Sequence, residues 1–267
     1  MPRFVVAGAS GFIGSAVCRE LERRGLSFAR LRRDSPIPND PSAICIHLAG
    51  ESRAGEYERP DSILAEEDLK LAIRLSEMYK YIVFGSSALV YGPMVTEDPV
   101  LFSESDQVTP PNRYARSKQT LEALFLRSEH AVVRLANVYG PGMSGVNVFS
   151  DIMAQLKKPE PLALRDLRPV RDYVWIDDVA IGLVDIALAG VSGVYNLGTG
   201  IGTSVGEVAR EFLIADGQHS REVIGKDERR PVNRLVIDSS KLESSVGWKP
   251  IVDLACGVRK LIDSRRE

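Results

Sequence analysis

The sequence predicts an α/β fold, a doubly wound parallel sheet with a smaller C-terminal α+β lobe. Three observations predict it. Short apolar runs alternate with longer amphipathic stretches. The runs are rich in β-branched residues and nearly continuous. A glycine-rich turn joins the first run to the first amphipathic stretch. Strands buried on both faces lose the alternation of a half-wet sheet, so continuous runs separated by helices imply a parallel sheet covered on both sides.

The elements follow in order. "RFVVAG" (3–8) reads as a buried strand. "GFIGSAVCRELERRG" (11–25) reads as a helix, with Ile13, Val17 and Leu21 on one stripe and Gly25 stopping it. Strands are expected at 26–33, 43–50, 81–87 and 131–140, with helices at 61–78 and from about 112 to 128. The second half is more broken: a Pro-rich loop near 159–169, a helix over 177–189, a strand at 193–197, a helix over 204–214, a loop closing "VIDSSKLESSVGWKP" and a last helix near 253–265. This pattern divides the chain into a larger parallel-sheet unit, 1–140 with 171–197 returning to it, and a smaller lobe, 141–170 and 198–267. One connection stands out. Only "DSPIPNDPSA", with three prolines, lies between the second and third strands. A crossover helix does not fit there, so the third strand must sit where an extended loop can reach it.

Composition narrows the function. The chain has 267 residues, 44% of them hydrophobic, a formal net charge of −2 and a pI near 6.0. That is enough apolar content for a proper core, and the bulk charge does not point to nucleic acid or a membrane surface. Cys18, Cys45 and Cys256 show neither paired nor metal-type spacing. No apolar run approaches the ~20 residues that span a bilayer, and "MPRFVVAGASG" is a strand entering a turn rather than a cleavable signal. The expectation is a soluble, cytoplasmic protein with no metal.

The turn "VVAGASGFIGSAV" carries Gly8, Gly11 and Gly14 between strand and helix. A tight turn and close backbone approach require glycine, and the helix N-terminus then faces a pyrophosphate. The spacing is G-x-x-G-x-x-G, not the general G-x-G-x-x-G. Its place in an N-terminal strand–turn–helix unit makes the fold Rossmann-type. The second strand should end beside the adenosine ribose, where an acidic residue selects NAD. Here Arg32 and Arg33 stand at that end, followed by Asp34. A guanidinium grips a 2′-phosphate by paired bonds, so the reading leans to NADP while Asp34 leaves NAD open.

Tyr114 and Lys118, in "PPNRYARSKQTLEALF", form the one Tyr-x-x-x-Lys in the chain. One helical turn apart, they share a face, either a solvated one or a proton-transfer pair. Context separates the two. "FGSSALVYG" ends the fourth strand and puts Ser86 and Ser87 at its carboxyl end, where parallel-sheet enzymes bind ligands. A tyrosine with an ordinary pKa near ~10 needs help to act as a base at neutral pH. A nearby ammonium and an oxidised nicotinamide both favour phenolate, and tyrosine can then exchange a proton with a sugar oxygen while hydride moves.

"GASGFIG", "HLAG", "SSALVYG", "YARSK", "RLANVYGPG", "RDYVWIDDVA", "YNLGTG" and "DSSKLESSVGWKP" follow one another along almost the whole chain. In this ordered set the sequence resembles the extended short-chain dehydrogenase/reductase family, the NAD(P)-dependent nucleotide-sugar epimerases and dehydratases. The resemblance implies roles. Ser87 matches the serine that polarises the substrate, Tyr114 the acid/base and Lys118 its partner on the nicotinamide ribose. Gly8, Ser10, Gly11, Phe12, Ile13 and Gly14 match the pyrophosphate loop, and Leu48 and Ala49 the opposite cofactor wall. Asn137, Arg171 and Arg229 or Arg230, with Arg230 preferred, match positions that face the substrate's nucleotide diphosphate. Asn137 and Arg171 read equally as loop braces, and the late arginines as a solvated pair. The helices at 61–78 and 112–128 resemble those that build a dimer interface, which implies a homodimer.

Departures sharpen the expectation. The family's 4,6-dehydratases follow the catalytic hydroxyl with an Asp-Glu pair, whereas Ser87 precedes Ala88 and Leu89. Neither transfers a proton, which argues against elimination. The 3,5-epimerase/4-reductases use a cysteine where Leu89 stands and a histidine downstream, and "VYGPGMSGVNVF" has none among His47, His130 and His219. What remains is a nucleotide-sugar 4-ketoreductase, favoured by the arginines, or a 4-epimerase with tightly held NAD. A dinucleotide-sensing protein without turnover is the remote alternative, and such relatives lack the Tyr–Lys pair. "HLAG" also departs from the family's "HLAA".

Overall fold

A computed structural model describes residues 4–32, 35–96, 98–227 and 231–264. The first half runs β1 (Phe4–Ala7), α1 (Phe12–Arg23), β2 (Phe28–Leu31), β3 (Ile44–His47), α2 (Ala54–Tyr57), α3 (Leu64–Met78) and β4 (Tyr81–Ser87), then a 3-10 turn (Ala88–Tyr91), β5 (Met94–Val95) and α4 (Arg113–Phe125). The second half begins with β6 (Ala131–Leu135), β7 (Asn137–Tyr139), α5 (Val148–Gln155), β8 (Leu162–Leu164), β9 (Val170–Trp175), α6 (Ile176–Ala189) and β10 (Gly193–Leu197). It ends with β11 (Gly202–Ser204), α7 (Val205–Ala215), β12 (Val223–Gly225), β13 (Asn233–Leu235), α8 (Ser240–Val246) and α9 (Leu254–Asp263).

Six parallel strands make the large sheet, in the order β2-β1-β3-β4-β6-β10. Val5 pairs with Ala29 on one side and Cys45 on the other, so β1 lies between β2 and β3. The short second crossover is thereby explained. The chain passes over β1 instead of adding a strand beyond β2. The residues between Leu31 and Ile44 reach about 40 Å when extended, against roughly 10 Å across two strand spacings and about 13 Å along the strands. Tyr79 ties the loop down, its hydroxyl donating to the Pro38 carbonyl at 2.8 Å, while Ile37 packs on the core. The topological switch falls between β1 and β3, and their carboxyl ends flank a crevice suited to a ligand.

Side chains of the large sheet feed two cores. Phe4, Val6, Ile46, Val83 and Val133 pack with α1 and α6. Val5, Ala7, Cys45, Phe84 and Val132 pack with α3 and α4. The alternation within each strand sends neighbouring apolar residues to opposite faces, which is why the runs are continuous.

The 131–140 run is two strands rather than one. β6 stays in the large sheet, whereas β7 pairs with β9 in a second sheet ordered β11-β9-β13-β5. Ala136 is the pivot, its amide donating to the Leu197 carbonyl at 3.0 Å. The region expected to be a loop near 159–169 contains β8, which pairs with β12, and the tail contains α8. Asp172 holds the second sheet against the end of β10, accepting from the Thr199 amide and hydroxyl at 2.8 and 2.7 Å and the Gly200 amide at 3.0 Å. Asp178 straps the tail to α6 through the Ile251 and Val252 amides at 3.0 and 2.9 Å. No helix among the described residues is long and apolar enough to cross a membrane.

Candidate active site

The glycine turn comes first. Gly8 has φ +84°, and a Cβ there would lie 2.6 Å from the Ala49 amide nitrogen and 2.7 Å from the Leu48 carbonyl. A Cβ on Gly14 would lie 2.0 Å from the Gly8 oxygen. The Gly11 amide donates to that same oxygen at 2.9 Å. These contacts bring the first turn of α1 hard against the end of β1. α1 begins without a side-chain cap, so its first amides face outward from the turn, with Ser10 and Gly11 exposed beside them. Uncapped amides at a helix N-terminus are a ready anion site, and the glycine cradle fits a dinucleotide pyrophosphate. Phe12 and Ile13 line the adjoining cleft, and Leu48 and Ala49 form the opposite wall of the turn. Gly14→Ala is expected to cost about 1–3 kcal/mol in stability by overpacking and to weaken dinucleotide binding. A melting curve with and without cofactor reads both effects.

On β2, Arg30 is ion-paired to Glu22 of α1 at 2.9 Å. Arg32 is exposed just past β2. Arg33 and Asp34 lie outside the described residues, as do Arg229 and Arg230.

Ser87 ends β4, where its hydroxyl accepts from the Leu89 amide at 3.2 Å and caps the 3-10 turn. Ser86 is used elsewhere, donating to Glu122. Asn112 caps α4 by accepting from the Ala115 amide at 2.9 Å, which sets Tyr114 in the first turn. Lys118 is buried one turn on. Its ammonium donates to the Gly85 carbonyl at 3.2 Å and stands 5.9 Å from the Tyr114 ring centre. Ser87, Tyr114 and Lys118 therefore converge at the carboxyl end of β4.

The electrostatics differ from the simple expectation. Burial pushes the Tyr114 phenol up to about 12; the Ser87 hydrogen bond opposes this, while the Asp68 and Glu51 carboxylates add to it. Lys118 does not pull the phenol down as expected. Burial lowers Lys118 itself, opposed by Asp68 and Glu122. The phenol of the chain alone is thus a proton donor at neutral pH.

A cleft of about 760 Å³ extends from Phe12 past Ser87, Ala88, Leu89 and Tyr114 to Asn137 and Arg171. Asn137 opens β7. Arg171, on β9, donates to the Val170 and Asn233 carbonyls at 2.7 and 3.1 Å and to the Asn233 side chain. Burial lowers its pKa. The guanidinium is braced, as one sequence reading had it, and Arg171 also lines the cleft. Asn147, Phe149 and Tyr173 also line the cleft, as do Arg53 and Glu56 from around α2. Sequence reasoning missed them. Asn147 alone left a signal, as the N-cap of α5, accepting from Ser150 at 3.0 Å.

Residues 36–198 match the model of the NAD dependent epimerase/dehydratase family. The chain belongs to that family. UDP-glucose 4-epimerase of Mycolicibacterium smegmatis is 30% identical, with 98% of this chain and 97% of that protein covered. Among solved structures, UDP-glucose 4-epimerase of Thermotoga maritima with UDP-glucose superposes with a TM-score of 0.83 at 25% identity, covering 98% of each chain. The Thermus thermophilus enzyme with NAD gives 0.80 at 26% identity and 99% of each. As a family member, this chain is an NAD-dependent enzyme of the nucleotide-sugar epimerase and dehydratase group, with the Rossmann-like parallel sheet its sequence predicted.

Proposed function

We propose that the chain is a nucleotide-sugar 4-ketoreductase, with Ser87, Tyr114 and Lys118 as its acid–base set. The observation that carries this reading is the composition of the cleft around Ser87. Tyr114 is the nearby group able to give a proton, and Ala88 and Leu89 follow Ser87 with no acid to drive elimination. The reduced nicotinamide, when bound, supplies hydride to C4. Tyr114 then delivers its proton to the C4 oxygen, held by the Ser87 hydroxyl, and Lys118 orients the nicotinamide ribose. Asn137 and Arg171 hold the diphosphate, Arg230 assists, and the nucleotide lies toward Phe149 and Tyr173. The buried phenol stays protonated at neutral pH, the form from which a reductase donates.

NADPH is the proposed reductant, on the strength of Arg32, exposed just past β2, and of Arg33 next to it in sequence. The second reading is a 4-epimerase with resident NAD, favoured by the relatives named UDP-glucose 4-epimerase. Identifying the nucleotide that copurifies separates the two. The expected result is no stoichiometric NAD and tighter binding of NADPH than NADH. Arg32→Ala with Arg33→Ala should erase that preference. Tight NAD at one per chain overturns the reductase reading. A homodimer through α3 and α4, which leave Ile73 and Leu126 exposed, belongs to the same proposal. A sedimentation mass of one chain at micromolar concentration would exclude it.

A further inference from the structure

One sequence departure and one buried acid meet beside Tyr114. The departure is Gly50, which makes "HLAG" of the usual "HLAA". It has φ +134°, a conformation that L side chains rarely adopt, and a Cβ there would sit 3.3 Å from Asp68 Oδ1. The buried acid is Asp68 of α3, in the charge-rich "AEEDLKLAIRLSEM". It is 9% exposed. The Tyr57 hydroxyl donates to its Oδ2 at 2.5 Å, and the Tyr57 ring stands edge-on to Tyr114 with centres 5.3 Å apart. A carboxylate, its phenolic donor and a glycine that makes room for it thus form a built unit against Tyr114, and the Asp68 charge also acts on Lys118.

We propose that Asp68, seated under Gly50 and oriented by Tyr57, is a positioning residue that offsets the Lys118 charge and holds Tyr114 as a proton donor. Such a unit deepens the ketoreductase reading, because a reductase needs its tyrosine protonated at the moment of hydride transfer. The surrounding charges are consistent with it. From α4, Lys118 and Glu122 face this space, and Glu122 is engaged by Arg134 of β6 at 2.7 Å. From β3, His47 is buried and pushed down to about 3, so it brings no charge at neutral pH. From the loop after β3, Glu51 acts on Tyr114 in the same sense as Asp68, but it is paired with Arg53 at 2.8 Å. The Tyr57 hydroxyl is neutral and leaves the Asp68 charge in place. Asp68 raises both Tyr114 and Lys118, the sign required of a carboxylate that keeps phenol and ammonium protonated together.

The test is a phenolate titration of the full-length chain, which needs no sugar substrate and so stands or falls apart from the ketoreductase reading. Near-ultraviolet absorbance is followed across the alkaline range in which the fold persists. The chain, Asp68→Asn, Tyr114→Phe and the double variant are compared. Asp68→Asn should move the Tyr114-dependent transition to lower pH by about one pH unit, the size of shift a nearby charge exerts. Tyr114→Phe should remove that transition in both backgrounds. An unmoved Tyr114-dependent transition in folded Asp68→Asn overturns the proposal; the Tyr57 phenol, which Asp68 also raises, shifts in both backgrounds and is removed by subtracting the Tyr114→Phe pair of titrations. If Asp68→Asn fails to fold, Asp68→Ser, which vacates the acid without bulk, carries the same expectation. Once a substrate is known, the basic limb of the reduction rate should move to lower pH by the same amount.

Discussion

Tyr114→Phe is expected to lower turnover by about 10²–10⁴-fold, the range that a positioned general acid contributes. The substitution removes one oxygen and keeps the ring, so the edge-on packing with Tyr57 survives. The glycine turn is built from β1, α1 and the start of the loop after β3, and none of its contacts involves the Tyr114 hydroxyl. Cofactor affinity should therefore change little. A stopped-flow or steady-state assay alongside a cofactor fluorescence titration separates the two quantities. Full activity in Tyr114→Phe would remove the acid–base assignment altogether, whereas joint loss of binding and turnover would point to collapse of the cleft. The pH dependence carries a sign as well. Burial places the phenol at about 12 in the chain alone, so its acid form persists through neutral pH, and reduction should weaken only on the alkaline side.

What the sequence revealed depends on how local each feature is. Strands β1 to β4 were legible because each carries its own apolar run and each helix its own stripe. The glycine turn and the Tyr114–Lys118 pair were legible because their geometry is set within one turn of backbone. The split of 131–140 was not. "AVVRLANVYG" contains no breaker between Leu135 and Asn137, and the change of sheet is imposed from outside, by β10 beside β6 and β9 beside β7. Helix α5 and strand β8 are short, and their burial comes from partners distant in the chain, such as α7 and β12. The same logic explains Asp68. In a helix dense with charge it carries no sign of burial, and its role beside Tyr114 arises only when α2 and α4 pack against α3. The third strand lies between these extremes. The length and prolines of 34–43 excluded a crossover helix, and the strand order shows the route the loop takes instead.

Arg134→Met is expected to destabilise the fold by about 3–5 kcal/mol, the cost of leaving a buried charge without its partner. Arg134 and Glu122 have side chains only 7% and 4% exposed, joined by a 2.7 Å bond from Nη2 to Oε2 and two longer bonds from Nε at 3.1 and 3.2 Å. Methionine keeps apolar length beside Tyr91, over whose ring the guanidinium lies at 4.7 Å. The loss should therefore come from the stranded Glu122 carboxylate rather than from a cavity. That account makes a second measurement decisive. Arg134→Met with Glu122→Leu removes both charges, and a buried pair replaced by apolar residues of similar size is often neutral or stabilising. Denaturant unfolding should show the double variant close to the parent and well above the single one. Stability and chemistry then part company. Glu122 lies one turn beyond Lys118 and helps keep its ammonium protonated against burial. The double variant should fold well yet carry a Lys118 that loses its proton at lower pH, visible as weaker dinucleotide binding on the alkaline side. Stability that stays low in the double variant would mean that the pair is needed for its hydrogen bonds to Ser86 and the turn around Tyr91, and not chiefly to cancel charge.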